Sequence, residues 1–299
     1  MTDLVIIGAG TAGLTAAIYA LRAGKSVLLL EAKAYGGQIV NTPDIENYPG
    51  IAHVSGFDFA TGLYEQATAL GAKLRYEKAL SIEDQGDTKI VRTRKREFPC
   101  KAVILATGAK NRPLGLEREE ELTGKGVSYC ATCDGSFFKG KTVAVNGGGN
   151  TALEDAAYLA DICEKVYLIH RRDAFRGDAR DVEKLREKTN VEFVLNATVT
   201  ALLGEDSLSG LEITDKVTGE KKELKVDGLF IAIGQMPDNQ AFRELADLDP
   251  AGYIAAGEDC RTKTPGIFTA GDCRTKNVRQ LTTAAADGAV AALAACAEM

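Results

Sequence analysis

The run Gly8-Ala9-Gly10-Thr11-Ala12-Gly13 decides the fold of this chain. It follows an apolar stretch at residues 3–7, typical of a buried strand, and precedes a helical stretch that extends to about residue 21. Here the first glycine permits a tight turn, the second lets backbone approach a pyrophosphate, and the third lets helix pack on strand. Glu31 ends the next apolar strand, where a carboxylate can accept hydrogen bonds from a ribose diol. This spacing predicts a dinucleotide-binding lobe.

The same order of elements recurs in the middle of the chain. A strand at residues 141–146 leads into Gly147-Gly148-Gly149-Asn150-Thr151-Ala152 and a helical stretch. A second strand, residues 165–169, then ends at His170-Arg171-Arg172, with Arg176 one turn further. Guanidinium groups bind a 2′-phosphate bidentately, whereas a carboxylate would repel it. We therefore predict a second lobe that binds NADP rather than NAD; the alternative is a solvated basic face, because charge continues along the next segment.

Two proline-containing segments, residues 110–116 and 235–239, are typical of linkers between these lobes. A further apolar strand, residues 266–270, returns after the second linker and ends at Gly271-Asp272. The chain is thus predicted to be α/β, with two Rossmann-like dinucleotide-binding domains, the second inserted into the first. The predicted division gives the first domain residues 1–112 and 240–299, and the second domain residues 113–239.

A cysteine pair, Cys130 and Cys133, stands shortly before the second glycine-rich run. Zinc would need four nitrogen or sulfur ligands, and the only histidines, His53 and His170, are not at ligand spacing. The short spacing lets one thiolate attack its neighbour and close a disulfide, which favours redox chemistry over a buried structural thiol pair. Asp134 follows directly and is the local candidate for a general acid, which requires partial burial to raise its pKa; the alternative is an ordinary turn aspartate.

Composition narrows the function classes further. The net charge is -6 and the sequence pI about 5.2, with no tryptophan, so we expect no nucleic-acid partner. Residues 4–21 form an uncharged run of near-transmembrane length, but glycines interrupt it and no basic stretch precedes it. We therefore predict a strand, turn and helix in a cytoplasmic protein with no membrane partner.

The cysteine motif and the runs around it resemble those of the bacterial low-molecular-weight thioredoxin reductases. The resemblance covers essentially the whole chain and rests on the two glycine-rich runs, Cys130-Ala131-Thr132-Cys133-Asp134-Gly135, and residues 36–38, 46–50, 106–108, 170–176 and 266–272. It implies a homodimeric flavoprotein, an NADPH-dependent thioredoxin-disulfide reductase, with FAD on the first domain and NADPH on the second. Electrons would pass from NADPH through FAD to the cysteine disulfide and then to oxidised thioredoxin or a thioredoxin-like redoxin. The NADPH domain would rotate between these half-reactions.

The resemblance also assigns residues to roles. Cys133 would face the flavin, Cys130 would attack the thioredoxin disulfide, and Asp134 would handle the proton. FAD would be contacted by Gly8, Gly10, Thr11, Ala12, Gly13, Glu31, Gly37, Gln38, Asn47, Thr107, Gly108, Asp272, Arg279, Gln280 and Leu281. NADP would be contacted by Gly147, Gly149, Asn150, Thr151, Arg171, Arg172 and Arg176. A final helix that starts near Gln280 would direct its positive end at the flavin, where reduction adds negative charge.

Alternative functions remain at this point. One alternative enzyme is a flavin reductase that receives electrons from ferredoxin, although Arg171 and Arg172 argue against it. A second is a reductase that acts on another redoxin. Glutathione-reductase-like enzymes carry their cysteine pair after the first glycine-rich run, where this chain has no cysteine. From another class, a flavin-bound redox sensor would use the additional thiols Cys260 and Cys273.

Overall fold

The computed structural model describes residues 1–42 and 44–299, with only the backbone of Asn41, and divides the chain into two compact units. The larger unit comprises Met1–Lys110 and Met236–Met299, and the inserted unit comprises Asn111–Gln235. The observed boundaries lie two and four residues before the predicted ones at 112 and 239.

The first part of the larger unit forms a sheet around the strand that precedes the first glycine-rich run. Its elements are β1 (Thr2–Ile7), α1 (Thr11–Arg22), β2 (Val27–Glu31), α2 (Gly56–Ala69), β3 (Lys73–Tyr76), β4 (Ser81–Asp84), β5 (Lys89–Arg92) and β6 (Glu97–Leu105). Strands β3, β2, β1 and β6 are parallel neighbours, and β5 and β4 extend the sheet in antiparallel pairing. The side chains of β1 from Leu4 to Ile7 are all buried, as expected for a parallel strand covered on both faces.

The inserted unit repeats this plan. With the crossing strand that leads into it, its elements are β7 (Ala109–Asn111), α3 (Glu119–Leu122), β8 (Val127–Ser128), α4 (Ala131–Asp134), β9 (Thr142–Gly147), α5 (Asn150–Ile162), β10 (Lys165–Ile169), α6 (Ala179–Glu187), β11 (Val191–Val194), β12 (Ala197–Leu203), β13 (Gly210–Asp215), β14 (Lys221–Lys225) and β15 (Gly228–Ala232). A parallel sheet has the order β11-β10-β9-β15-β8. Strands β12 to β14 form a separate antiparallel meander that the sequence analysis did not predict.

The returning chain completes the larger unit with β16 (Gln235–Pro237), β17 (Ile267–Thr269) and α7 (Leu281–Glu298). Strands β16 and β7, which contain the two crossings, pair with each other, and β17 joins β6 in parallel. Length and composition alone would allow α7 to cross a membrane, but it packs on α1 through its small residues. At Gly288 a side chain would collide with the carbonyl of Ala12, so glycine sets this close approach. The predicted α/β class is confirmed.

Candidate active site

The first glycine-rich run forms a cradle made only of backbone. Gly8 has φ +108°, and a side chain there would strike the carbonyl of Ala106 at the end of β6. A side chain at Gly13 would strike the carbonyl of Gly8, so the third glycine allows α1 to pack on β1. Gly10 faces Gly37 closely enough that a Cβ on Gly37 would lie 3.4 Å from the Gly10 Cα. Backbone N–H groups at the start of α1 are thereby free to approach a phosphate.

Glu31 is fixed beside this cradle. Its Oε2 accepts a hydrogen bond of 2.9 Å from the Ala9 amide, and its Oε1 accepts one of 2.9 Å from the Lys33 amide. Each carboxylate oxygen keeps further acceptor capacity. The geometry therefore suits a ribose diol placed against the end of β2.

A buried asparagine connects two segments predicted to contact FAD. Asn239, which is fully buried, accepts a hydrogen bond of 2.7 Å from Thr107 and donates one of 2.9 Å to the Cys273 carbonyl. It thus connects the Thr107-Gly108 turn with the segment that carries Asp272. The sequence analysis missed Asn239, because its partners lie far away in the chain and no local signal marks it.

Asp272 is the clearest indication of a ligand on the larger unit. Burial raises the pKa of its carboxyl, and its buried Oδ1 has no hydrogen-bond partner in the described part of the chain. A buried acceptor without a donor is costly unless a bound molecule supplies one. Its position beside the cradle fits a hydroxyl-bearing portion of a flavin nucleotide.

The other predicted FAD contacts lie in the same unit. Helix α7 begins at Leu281 with Gln280 as its N-cap, the position at which the sequence places the helix start. The Gln280 side chain accepts a hydrogen bond of 3.3 Å from Asn47, and Gln38 donates to the carbonyl of Ala109. The Arg279 guanidinium stacks on the Tyr253 ring at 4.2 Å. Thr11 and Ala12 are buried in the first turn of α1, and Gly108 has φ +67° with open space around it.

The second glycine-rich run contains two glycines that close packing requires and a third that faces open space. Side chains at Gly147 and Gly148 would strike Ala152 and the His170 ring, respectively. At Gly149, the N-cap of α5, a Cβ would meet nothing within 4 Å. The space in front of α5 is therefore free for a pyrophosphate.

The basic segment after β10 lies directly against this turn. The Arg176 amide donates a 2.7 Å hydrogen bond to the Gly148 carbonyl, and the Asp178 amide donates one of 2.9 Å to the Asn150 side chain. Arg171, Arg172 and Arg176 are exposed, and within residues 1–42 and 44–299 none of the three forms a salt bridge. Thr151 is exposed at the start of α5. The arrangement presents three guanidinium groups without a salt-bridge partner in the described part of the chain, beside the turn that is predicted to bind phosphate.

His170, by contrast, is a packing residue. Its ring is buried, lies 3.2 Å from the Ala174 carbonyl through Nε2, and stacks on Phe175. Burial lowers the pKa of His170, and the neighbouring arginines lower it further. The ring is therefore neutral at pH 7 and occupies the space that Gly148 leaves.

Cys130 and Cys133 form a disulfide with a Cα–Cα distance of 5.3 Å. Cys130 is the N-cap of α4, and its carbonyl accepts hydrogen bonds from the amides of Cys133 and Asp134 at 3.3 and 3.1 Å. The pair belongs to the inserted unit, which also holds the second glycine-rich run. One structural unit thus carries both the disulfide and the predicted nicotinamide site.

Asp134 has the environment expected of a general acid. Burial raises the pKa of its carboxyl, although a hydrogen bond from Ser128 opposes the shift. The Ser128 hydroxyl donates to Asp134 Oδ2 at 2.6 Å, while Oδ1 is buried without a partner among the described residues. The sequence analysis missed Ser128, since a serine at the end of a short strand carries no distinguishing signal.

Four of the five remaining thiols are buried. Cys100, Cys163, Cys260 and Cys273 are buried free thiols. Burial raises the pKa of Cys100 and of Cys260 to about 12 and that of Cys163 to about 11. A thiol needs thiolate character to react, so the raised pKa of Cys260 gives no support to a redox sensor, and Cys273 is buried away from solvent.

His53 lies close to two acidic side chains, those of Asp44 and Glu46. Its Nδ1 is 2.6 Å from Asp44 Oδ1, and a carboxylate oxygen of Glu46 lies within 4.8 Å of both. The side chains of His53 and Glu46 are exposed, and exposed groups of this kind are common without a bound ion. We assign no metal to this group.

Comparison with known proteins agrees with this geometry. Residues 2–288 match the family model described as pyridine nucleotide-disulphide oxidoreductase. A thioredoxin reductase of Bacillus subtilis is 42% identical over 97% of this chain and 92% of its own. The chain therefore belongs to the thioredoxin reductases of this oxidoreductase family.

Solved structures support the same assignment. A thioredoxin reductase from Streptococcus pyogenes is 41% identical, with a TM-score of 0.95, covering 100% of this chain and 98% of its own. One from Lactococcus lactis in the FR conformation is 39% identical, with a TM-score of 0.69, covering 100% and 99%. The predicted resemblance, the two-domain dinucleotide-binding fold and the oxidoreductase class are confirmed. Flavin and a nicotinamide nucleotide are the cofactors that this family implies.

Proposed function

We propose that this protein is an NADPH-dependent thioredoxin-disulfide reductase that contains FAD. The observation that carries the proposal is the disulfide Cys130–Cys133 on the unit with the second glycine-rich run, while the larger unit holds a separate dinucleotide cradle. Two nucleotide sites and one redox disulfide are the parts needed to move electrons from a nicotinamide to a protein disulfide.

The residues present fit both cofactors. The larger unit offers the Gly8–Gly13 cradle, Glu31 for a ribose and the unpartnered Asp272 Oδ1 for a hydroxyl. The inserted unit offers open space at Gly149 and the unpaired guanidinium groups for a 2′-phosphate, which favours NADPH over NADH. When bound, FAD supplies the two-electron relay between the nicotinamide and the disulfide.

The cysteines act in order once their disulfide is reduced. The Cys130 thiolate attacks a sulfur of the thioredoxin disulfide, so that a mixed disulfide forms and one thioredoxin thiolate leaves. The Cys133 thiolate then attacks the Cys130 sulfur, which releases the second thioredoxin thiolate and restores the Cys130–Cys133 bond. Asp134, whose carboxyl pKa is raised by burial, supplies a proton to a departing thiolate.

The inserted unit rotates between the two half-reactions. The disulfide and the nicotinamide site belong to one unit and must use one flavin on the other unit in turn. Only two crossings connect the units, and a pair of short strands, β7 and β16, is suited to act as a hinge. A relative from Lactococcus lactis is known in an FR conformation.

We further propose thioredoxin as the partner, a homodimer as the assembly and the cytoplasm as the location. The relatives are named for thioredoxin. For dimerisation, the larger unit exposes the apolar side chains of Tyr19 on α1 and of Val290 and Leu293 on α7. Such exposed apolar groups favour burial against a second copy.

A pair of serine variants tests the function. Cys133→Ser should abolish NADPH-driven thioredoxin reduction while NADPH still bleaches the bound flavin, because only the disulfide step is lost. Cys163→Ser, which removes a buried thiol outside the proposed pathway, is the matched control and should turn over normally. Full turnover in Cys133→Ser would refute the assignment.

A further inference from the structure

Ser128 connects the redox turn with the proposed acid. It is a buried residue at the end of β8, where pairing with Phe230 of β15 fixes its backbone. Its Oγ accepts a 3.1 Å hydrogen bond from the Cys130 amide and lies 2.6 Å from Asp134 Oδ2. One side chain on a rigid strand therefore touches both the cysteine-bearing turn and the Asp134 carboxyl.

The hydroxyl proton of Ser128 has a defined direction. A serine hydroxyl carries a single proton, and its possible acceptors here are Asp134 Oδ2 at 2.6 Å and the Cys130 carbonyl at 3.4 Å. The shorter contact to a carboxyl oxygen is the stronger one. Because Oδ2 then accepts this hydrogen bond, a proton carried by the Asp134 carboxyl resides on Oδ1.

The other oxygen is placed to give its proton away. Asp134 Oδ1 is buried and has no hydrogen-bond partner among residues 1–42 and 44–299, so nothing in that part of the chain competes for a proton held there. We propose that Ser128 is a positioning residue that fixes the Asp134 carboxyl and assigns its transferable proton to Oδ1. This inference rests on the proposed function, because the proton is consumed when a thioredoxin thiolate leaves.

The Asp134 proton is used in the step that releases thioredoxin. As the Cys133 thiolate attacks Cys130, the Cys130–Cys133 bond forms and the bond to thioredoxin breaks. The departing thioredoxin thiolate takes the proton from Asp134 Oδ1, and the carboxylate left behind is held by the Ser128 hydroxyl until water returns a proton. Ser128 itself neither gains nor loses a proton in this sequence.

Among residues 1–42 and 44–299, no charged group accounts for the shift in the Asp134 pKa. Helix α5 packs against α4 and carries the titratable groups Glu154, Asp155, Tyr158 and Asp161, the last of which pairs with Lys188. The redox cysteines lie on Asp134's own turn. Burial and the Ser128 hydrogen bond are nevertheless the causes that set the Asp134 pKa, with no charge on α5 contributing. Removal of the hydroxyl should therefore act on Asp134 directly.

The test is a titration of Asp134 in the oxidised, FAD-loaded enzyme. The carboxylic C=O infrared band that disappears in Asp134→Asn identifies the group. Ser128→Ala removes a donor that stabilises the carboxylate, so the Asp134 pKa should rise by about 1–2 units. Ser128→Cys, whose thiol is a weak donor, should also raise the Asp134 pKa. Ser128→Thr keeps the hydroxyl and should leave the Asp134 pKa at its wild-type value.

Steady-state kinetics give a second readout. In Ser128→Ala the alkaline limb of the pH profile for thioredoxin reduction should move upward by the same amount, while KM for NADPH and flavin bleaching stay unchanged. The inference would be overturned if the Asp134 pKa did not shift in Ser128→Ala, or if Ser128→Thr showed the same shift as Ser128→Ala. The infrared titration needs no thioredoxin, so a wild-type enzyme that fails to reduce thioredoxin would refute only the proposed function.

Discussion

A buried ion pair on α7 provides the strongest stability prediction. Asp287, 6% exposed, accepts hydrogen bonds of 2.9 and 2.8 Å from the Arg274 guanidinium, and Arg274 is 3% exposed. The same carboxylate accepts bonds of 2.8 Å from Lys276 and 3.0 Å from the Gly271 amide. It therefore holds the segment that carries Asp272, the proposed flavin contact.

Asp287→Ala should lower the free energy of unfolding by about 3–5 kcal/mol, because it leaves a buried guanidinium without its partner. Urea titration of the FAD-loaded protein by circular dichroism measures this change, and flavin release should occur at a lower urea concentration. Glu258→Gln is the matched control: its carboxylate lies 3.6 Å from Arg274 but is 97% exposed, so the change should be at most about 1 kcal/mol. An equal effect of the two substitutions would refute the reasoning.

The same pair predicts a pH dependence. Burial alone would raise the pKa of Asp287, but hydrogen bonds from Arg274 and Lys276 outweigh it, so the pKa lies below its ordinary value. A depressed folded-state pKa contributes stability above the unfolded pKa of about 4, and the contribution is lost as pH falls below it. The wild type should therefore lose this stability in acid, and Asp287→Ala should show a flatter acid limb.

Three further predictions concern other parts of the chain. Gly149→Ala should lower the free energy of unfolding by no more than about 1 kcal/mol, the cost of alanine at an N-cap, since a Cβ meets nothing within 4 Å. It should raise KM for NADPH, and a much larger loss of stability would contradict this. Arg171→Ala should raise KM for NADPH roughly 10- to 100-fold and leave KM for NADH unchanged. The control Arg180→Ala should change neither KM. Equal increases in KM for both nucleotides would contradict a contact with the 2′-phosphate. Glu119→Ala should lower the free energy of unfolding by about 2–4 kcal/mol, because Glu119 accepts hydrogen bonds from three backbone amides and the Tyr129 hydroxyl; a loss below about 1 kcal/mol would count against it.

The sequence predicted the parts of the fold that depend on local pattern. The strand, glycine turn and helix around Gly8 and Gly147 follow from apolar runs and from backbone positions that exclude side chains. The insertion of one domain into the other followed from the repeat and from the proline-containing linkers. The antiparallel meander β12 to β14 was not predicted, although polar loops that contain Gly204 and Gly219 separate its strands in the sequence.

The site was predictable where chemistry lies in short motifs. Cys130, Cys133 and Asp134 lie within five consecutive residues, and in the structure the cysteines form a disulfide and burial raises the pKa of the Asp134 carboxyl. Asn239 was missed because its partner Thr107 lies 132 residues away. Contacts of this kind depend on tertiary packing, which leaves no mark in a single local window.

The central claim is that electrons leave this protein through the Cys130–Cys133 pair. Its most direct test is anaerobic rapid mixing of the NADPH-reduced enzyme with oxidised thioredoxin, followed at the flavin absorbance. The account predicts rapid flavin reoxidation in the wild type and none in Cys130→Ser, although NADPH bleaches the flavin in both. Reoxidation by thioredoxin at the wild-type rate in Cys130→Ser would contradict it.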